Sequence, residues 1–173
     1  MKNETTNLAD RIRLRPVEMP ADEEFLIDLY YTTRDDIHQA PMDEMQKKSL
    51  SLMQYTLQKQ HYEKYYSNSS HDIILLDGKS AGRLWTARYE TELLGIDMAI
   101  LPEYRNLGIG TILMRTLFDE AERTKRVFHF HVLKTNAAAI RLYERLKCKF
   151  IDSDAPTHFK MRWRPEDKII AGE

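Results

Sequence analysis

The chain has 173 residues, 42% of them hydrophobic and 31% charged, with a formal net charge of -1. That balance suits one soluble globular domain with a full core and gives no global electrostatic case for nucleic acid or an anionic membrane. A single cysteine, Cys148, excludes an internal disulfide framework. No apolar run approaches the ~20 residues of a membrane helix, so a cytoplasmic protein with no membrane partner is expected.

Residues 1–10 read as a loose polar arm, and residues 165–173 as a tail, on one domain spanning 1–173. Ile12, Leu14 and Pro16 bracket Arg13 and Arg15 in the alternation of a half-buried strand. Proline and acids at Pro20 to Glu24 resemble a helix start, and Phe25, Leu26, Leu29 and Tyr30 follow at helical spacing to about Thr33. Asp35 to Pro41 reads as a polar break. Asp43 is placed to cap a second helix running through Tyr62 or beyond, with Met45, Leu52, Met53, Leu57 and Tyr62 as its buried stripe. The same helix is rich in glutamine and tyrosine (Gln54, Tyr55, Gln58, Gln60), either as an exposed face or as one wall of a substrate cleft.

Ser67 to Ser70 reads as a loop before a strand over Asp72 to Leu76. Asp77-Gly78 is a hairpin signal, and Ser80 to Tyr89 supplies the returning strand. After a turn at Arg88 to Thr91, Glu92 to Leu101 is apolar enough to suggest a central strand buried on both faces. A helix from Thr111 carries Ile112, Leu113, Leu117, Phe118 and Ala121 and stops in the basic cluster Arg123 to Arg126, which suits a helix C-terminus. Val127 to Leu133 is a further strand, Thr135 or Asn136 opens a fourth helix ending near Leu146, and Phe150 to Asp152 with His158 to Trp163 forms a last hairpin. Trp85 and Trp163 read as core or sheet-face residues.

The most informative stretch is Pro102 to Thr111, where a strand breaks at proline and enters a helix through Gly108 and Gly110. A helix start exposes free N–H groups and the positive end of the helix dipole, and glycine lets an anion approach closely. The pattern lacks the third glycine and the acidic partner of a dinucleotide fold, and it has no Gly-Lys-Ser/Thr of a nucleotide P-loop.

Tyr104-Arg105-x-x-Gly108-x-Gly110 after a proline-ended strand resembles the acetyl-CoA loop of the GNAT acetyltransferase superfamily. Asn136-x-x-Ala139-x-x-x-Tyr143-Glu144 follows at the family's usual distance, and the order of elements agrees from Ile12 to Trp163. The resemblance implies an α/β (α+β) GNAT-like fold, a mixed sheet of about six to seven strands with a splayed parallel pair, flanked by about four helices. It implies acetyl-CoA as cofactor, its pyrophosphate held by backbone N–H groups of Arg105, Asn106, Leu107, Gly108, Ile109, Gly110 and Thr111. Main-chain groups near Met98 and Ile100 are expected to bind the pantetheine arm, with one N–H polarising the carbonyl. Asn136, Ala139 and Tyr143 lie at i, i+3 and i+7 and are expected to border the cofactor, Tyr143 also protonating the departing CoA thiolate.

For the catalytic base the resemblance offers two carboxylates. Gly95-Ile96-Asp97 matches a string in aminoglycoside 6'-N-acetyltransferases, where the aspartate is a proposed base; apolar surroundings would raise its pKa, and the other reading is a buried ion pair with Arg83 or Arg88. Glu92 matches the position of a catalytic glutamate in ribosomal-protein N-terminal acetyltransferases, and otherwise is an exposed strand-end acid. His129 and His131 share a strand face but have no third ligand in view, so no metal is expected and His131 is a cleft candidate.

The first two helices carry Asp22, Glu23, Glu24, Asp28, Asp35, Asp36, Asp43 and Glu44 against Arg34. The expectation is a cationic small-molecule amine as acceptor, with a homodimer left open. The alternatives are a protein N-terminal acetyltransferase and a non-catalytic acetyl-CoA sensor. One departure from the family is Leu146-Lys147-Cys148 in place of Leu-Gly-Phe. A lysine in a left-handed cap costs on the order of 1 kcal/mol, so this helix is expected to end differently, with Cys148 as a packing residue.

Overall fold

The structure is a computed structural model that describes residues 7–151 and 155–166. The expected arm is structured from Leu8: Leu8–Arg11 makes one helical turn, α1, capped by the Asn7 side chain. Strand β1 follows at Ile12–Pro16 and helix α2 at Glu23–Tyr31. The expected polar break contains another single turn, α3, at Asp35–His38. Asp43 caps α4, Glu44–Tyr65, through a reciprocal pair with Gln46. Strand β2 (Ser69–Leu76) takes in the end of the expected loop and turns through Asp77-Gly78 into β3, Lys79–Arg88. Strand β4 (Glu92–Ile100) leads through a 3-10 turn at Pro102–Tyr104 to α5, Ile109–Arg123. Then come β5 (Val127–Leu133), α6 (Ala137–Arg145), β6 (Lys149–Ile151) and β7 (His158–Trp163). Most of the expected tail lies outside the described residues, as does Asp152.

Among the described residues the seven strands bond in the order β1-β2-β3-β4-β5-β7-β6. β4 and β5 are parallel, paired from Glu92↔Val127 to Gly95↔Phe130. β4 is central in that order, yet most of it is only half-buried, Leu93 and Ala99 being its buried residues. By its contacts the chain divides into two compact units, Met1–Trp85 with Asp97–Leu107, and Thr86–Ile96 with Gly108–Glu173.

In the first unit, Leu26 and Tyr30 of α2, Tyr55 of α4 and Ile73 of β2 form a buried cluster. Helix α4 departs from the expected pattern. Met45, Leu52, Met53 and Leu57, expected inside, are 79%, 45%, 53% and 58% exposed, while its two buried residues are Ser51 and Tyr55. Gln58 and Tyr62 continue that inner stripe one and two turns on, half-buried. The helix turns a polar face inward because the facing strands present charge, as described below. β3 and β4 approach closely at Gly82, where an added Cβ would stand 2.2 Å from the Ala99 carbonyl oxygen.

In the second unit, Phe118 of α5 stacks on Trp163 with centroids 4.5 Å apart and meets Phe128 edge-on at 5.8 Å. Gly95 leaves room for this packing, since a Cβ there would meet Phe128 at 3.0 Å. Helix α6 ends with Lys147 left-handed at φ 66°, against expectation. The Lys147 N–H donates to Glu144 O and the Cys148 N–H to Tyr143 O, both at 2.9 Å. These are the two bonds of a Schellman cap, and they offset the cost of a lysine where glycine is usual. Cys148 is buried, as a packing residue should be.

Candidate active site

The loop between β4 and α5 is shaped by two left-handed residues, Asn106 at φ 61° and Gly108 at φ 92°. Gly108 is the N-cap of α5, and its carbonyl accepts the first helical bond, from the Ile112 N–H at 3.1 Å. The N–H groups of Ile109, Gly110 and Thr111 therefore belong to the open first turn, which carries no acidic residue. The Arg105 N–H differs from the rest of the expected cradle, since it donates to Pro102 O at 3.2 Å. Its guanidinium braces the loop instead, donating from Nε to Ile100 O at 2.8 Å and from Nη2 to Thr32 O at 3.3 Å. Thr32, at the end of α2, had no sequence signal for this contact. Met98 and Ile100 are half-buried on β4, while Leu107 is exposed.

On α6 the Asn136 side chain caps the helix by accepting from the Ala139 N–H at 3.1 Å. Ala139 and Tyr143 are half-buried on the same face, the Tyr143 ring lying edge-on to Phe130 at 4.5 Å. No residue of α6 is fully buried.

The two candidate acids have different settings. Asp97 Oδ2 accepts from Arg83 Nε at 2.7 Å, so the ion-pair reading of the sequence describes its contacts. Arg83 is 2% exposed; its Nη2 donates to Gln58 Oε1 at 2.7 Å and its guanidinium lies 5.9 Å from the Tyr30 ring centre. Asp97 retains 24% side-chain exposure, and its Oδ1 has no hydrogen bond among the described residues. Glu92 meets His129 Nδ1 at 3.0 Å, beside the paired start of β4 and β5. Desolvation by its neighbours, then the charge of Lys160, lowers the pKa of His131, whose side chain stays exposed. No group of three potential metal ligands occurs among the described residues.

Around Arg83 the first unit holds several buried polar atoms without a partner among the described residues: Tyr55 OH, His71 Nε2, Arg83 Nη1 and Trp85 Nε1. Each such atom left dry costs about 1–3 kcal/mol. His71, which had no sequence signal, stacks on Trp85 at 3.9 Å and 8°, and Tyr62 meets the same indole edge-on at 5.0 Å. Burial, then Arg83 and Lys59, lowers the His71 pKa to about 4. The unfolded chain, with an ordinary histidine near 6.5, takes up that proton first. This contribution to stability is therefore complete above pH ~6.5 and is lost as pH falls toward 4, by about 2–3 kcal/mol. Urea midpoints at pH 7, 5.5 and 4 should fall accordingly, and His71→Gln should flatten that part of the profile.

Half of the acids of the first helices have a cationic partner within the chain. Asp22 binds Arg15 through two bonds of 2.7 Å, which lower its pKa to about 2. Arg34 holds Asp36, Lys59 lies 3.8 Å from Glu23, and Lys47 lies 3.5 Å from Glu44. Glu24, Asp28, Asp35 and Asp43 have no cationic partner among the described residues, Asp43 serving as the cap of α4.

A parallel strand pair whose first member feeds a glycine-started helix is a scaffold for holding a phosphorylated ligand by its main chain. The acetyltransferase (GNAT) family model matches residues 34–148, and the chain belongs to that family. Solved structures of the same fold include the PaiA N-acetyltransferase from Thermoplasma acidophilum in complex with coenzyme A, 18% identical with a TM-score of 0.67, covering 88% of this chain and 98% of that one. The ribosomal-protein-S18-alanine N-acetyltransferase from Escherichia coli is 20% identical with a TM-score of 0.57, covering 87% and 92%. A GNAT family acetyltransferase from Elizabethkingia anophelis with acetyl-CoA bound is 12% identical with a TM-score of 0.58, covering 88% and 97%. No curated protein matches the chain in sequence.

Proposed function

We propose that the chain moves the acetyl group of acetyl-CoA onto a primary amine. The observation that carries this is the start of α5, where left-handed Gly108 opens a run of free backbone donors at a helix's positive end. Acetyl-CoA supplies an acetyl group activated as a thioester. The N–H groups from Asn106 to Thr111 would hold its pyrophosphate, main-chain groups at Met98 and Ile100 its pantetheine arm, and Asn136, Ala139 and Tyr143 would border it.

Asp97 is the favoured base. Its Oδ1 takes the ammonium proton, while Oδ2 remains on Arg83. Glu92, at ~3.3 Å per residue, is about 20 Å from Met98 along β4, too far to act directly on a group bound there. The Tyr143 hydroxyl donates the proton that the departing thiolate needs, and a β4 N–H steadies the oxyanion.

Thermal unfolding tests the reading. Acetyl-CoA at 100 times its Kd stabilises by about 2.7 kcal/mol, a rise in Tm of roughly 5–10 °C. Gly108→Val, which disfavours the left-handed backbone and crowds the donors, should abolish most of the shift. No shift with the native chain overturns the proposal; a shift without CoA release from any amine would leave a sensor instead of an enzyme.

A further inference from the structure

We infer that the acceptor is an amine that also carries a carboxylate, its anionic group seated on Arg83 and its ammonium on Asp97; this rests on the acetyl-transfer reading above. The first support is the inverted polarity of α4. A helix that keeps four large apolar side chains exposed and turns Ser51, Tyr55, Gln58 and Tyr62 inward is built around a polar interior.

The second support is the chemistry of that interior. Arg83 Nη1 and Trp85 Nε1 are donors without partners on side chains only 2% exposed. Tyr55 OH and neutral His71 Nε2 are unpaired as well. Arg83 Nη1 and Trp85 Nε1 can only donate, and each is satisfied by a ligand that brings oxygen lone pairs. Arg83 meets a carboxylate through Nε, but the outer edge of its fork has Nη1 empty and Nη2 on the neutral Gln58 Oε1 at 2.7 Å. A ligand carboxylate displacing the flexible Gln58 side chain would bind Nη1 and Nη2 together. That exchanges one neutral hydrogen bond for a bidentate, charge-assisted pair.

The third support is the adjacent acid. Asp97 holds Arg83 Nε through Oδ2, its Oδ1 has no hydrogen bond among the described residues, and the carboxylate retains 24% exposure. Opposite charges side by side complement an ammonium and a carboxylate a few bonds apart. A polycation finds no such match at this pair, because Arg83 offsets the charge of Asp97. Trp85 is held in place by His71 stacked on its ring and by Tyr62 edge-on.

The test uses the full chain and matched probes: free amino carboxylates, each beside its amide, and a linear polyamine. Binding is read by calorimetry, and turnover by CoA release. The acids should exceed their amides by about 100-fold in affinity or kcat/KM, since the amide leaves the fork poorly paired. Gln58→Glu puts a permanent carboxylate on Arg83 while keeping the side chain's size. It should raise KM for the acids about 10-fold or more while leaving the acetyl-CoA thermal shift intact. Equal binding or turnover of acids and amides, a preference for the polyamine, or an unchanged KM in Gln58→Glu overturns the inference. Selective binding of the acids without any acetyl-CoA shift supports it while overturning the transfer reading.

Discussion

Gly82→Ala should lower stability by about 3 kcal/mol, a fall in Tm of roughly 6–12 °C. The cause is the 2.2 Å approach of the new Cβ to the Ala99 carbonyl oxygen. That oxygen is backbone, so the clash cannot be relieved by turning a side chain; β3 and β4 must part. The disturbance falls between Met98 and Ile100, so the response to acetyl-CoA should shrink with the stability. Gly78→Ala is the natural comparison. Nothing lies within 4 Å of its Cβ, but φ is +80°, so only the backbone cost of about 1 kcal/mol is expected there. Thermal unfolding followed by circular dichroism separates the two, and an unchanged Tm for Gly82→Ala would contradict the close approach.

Asp97→Asn should reduce turnover by 10²–10⁴-fold while acetyl-CoA still raises the Tm. It should also destabilise the chain by about 2 kcal/mol. Arg83 is 2% exposed, and the amide leaves its charge uncompensated while still accepting a hydrogen bond. The stability loss and the turnover loss have different signatures: the first is seen without substrate, the second in kcat at saturating acceptor. Glu92→Gln is the informative partner. A loss of turnover at Glu92 equal to that at Asp97 would move the base to the start of β4.

The loop from Arg105 to Thr111 was legible because its information is local: proline ends a strand, glycine permits φ 92°, and a helix follows at once. Asp43 was legible as a cap for the same reason. The stripe of α4 was misread because periodicity assigns the apolar side to the interior. What reverses it, Arg83 and Asp97, stands on β3 and β4, and only their placement beside α4 makes Gln58 the inward residue. Half of the acidic set is drawn into ion pairs in the same way, as Arg15 and Lys59 reach Asp22 and Glu23 from other elements. α1 and α3, at four residues each, are too short for any periodic pattern. Lys147 was judged by its φ alone, whereas the two cap bonds next to it carry the turn.

The strand order leaves β1 and β6 as the outermost members of the sheet. An outermost strand exposes unpaired amides and carbonyls to which another chain could add. β1 alternates Arg13 and Arg15 with its apolar residues and closes on Pro16, which has no N–H to offer. β6 is three residues long and opens with Lys149. Among the described residues, charge and proline guard one margin and brevity the other, so neither margin presents a long, flat apolar template for growth from chain to chain.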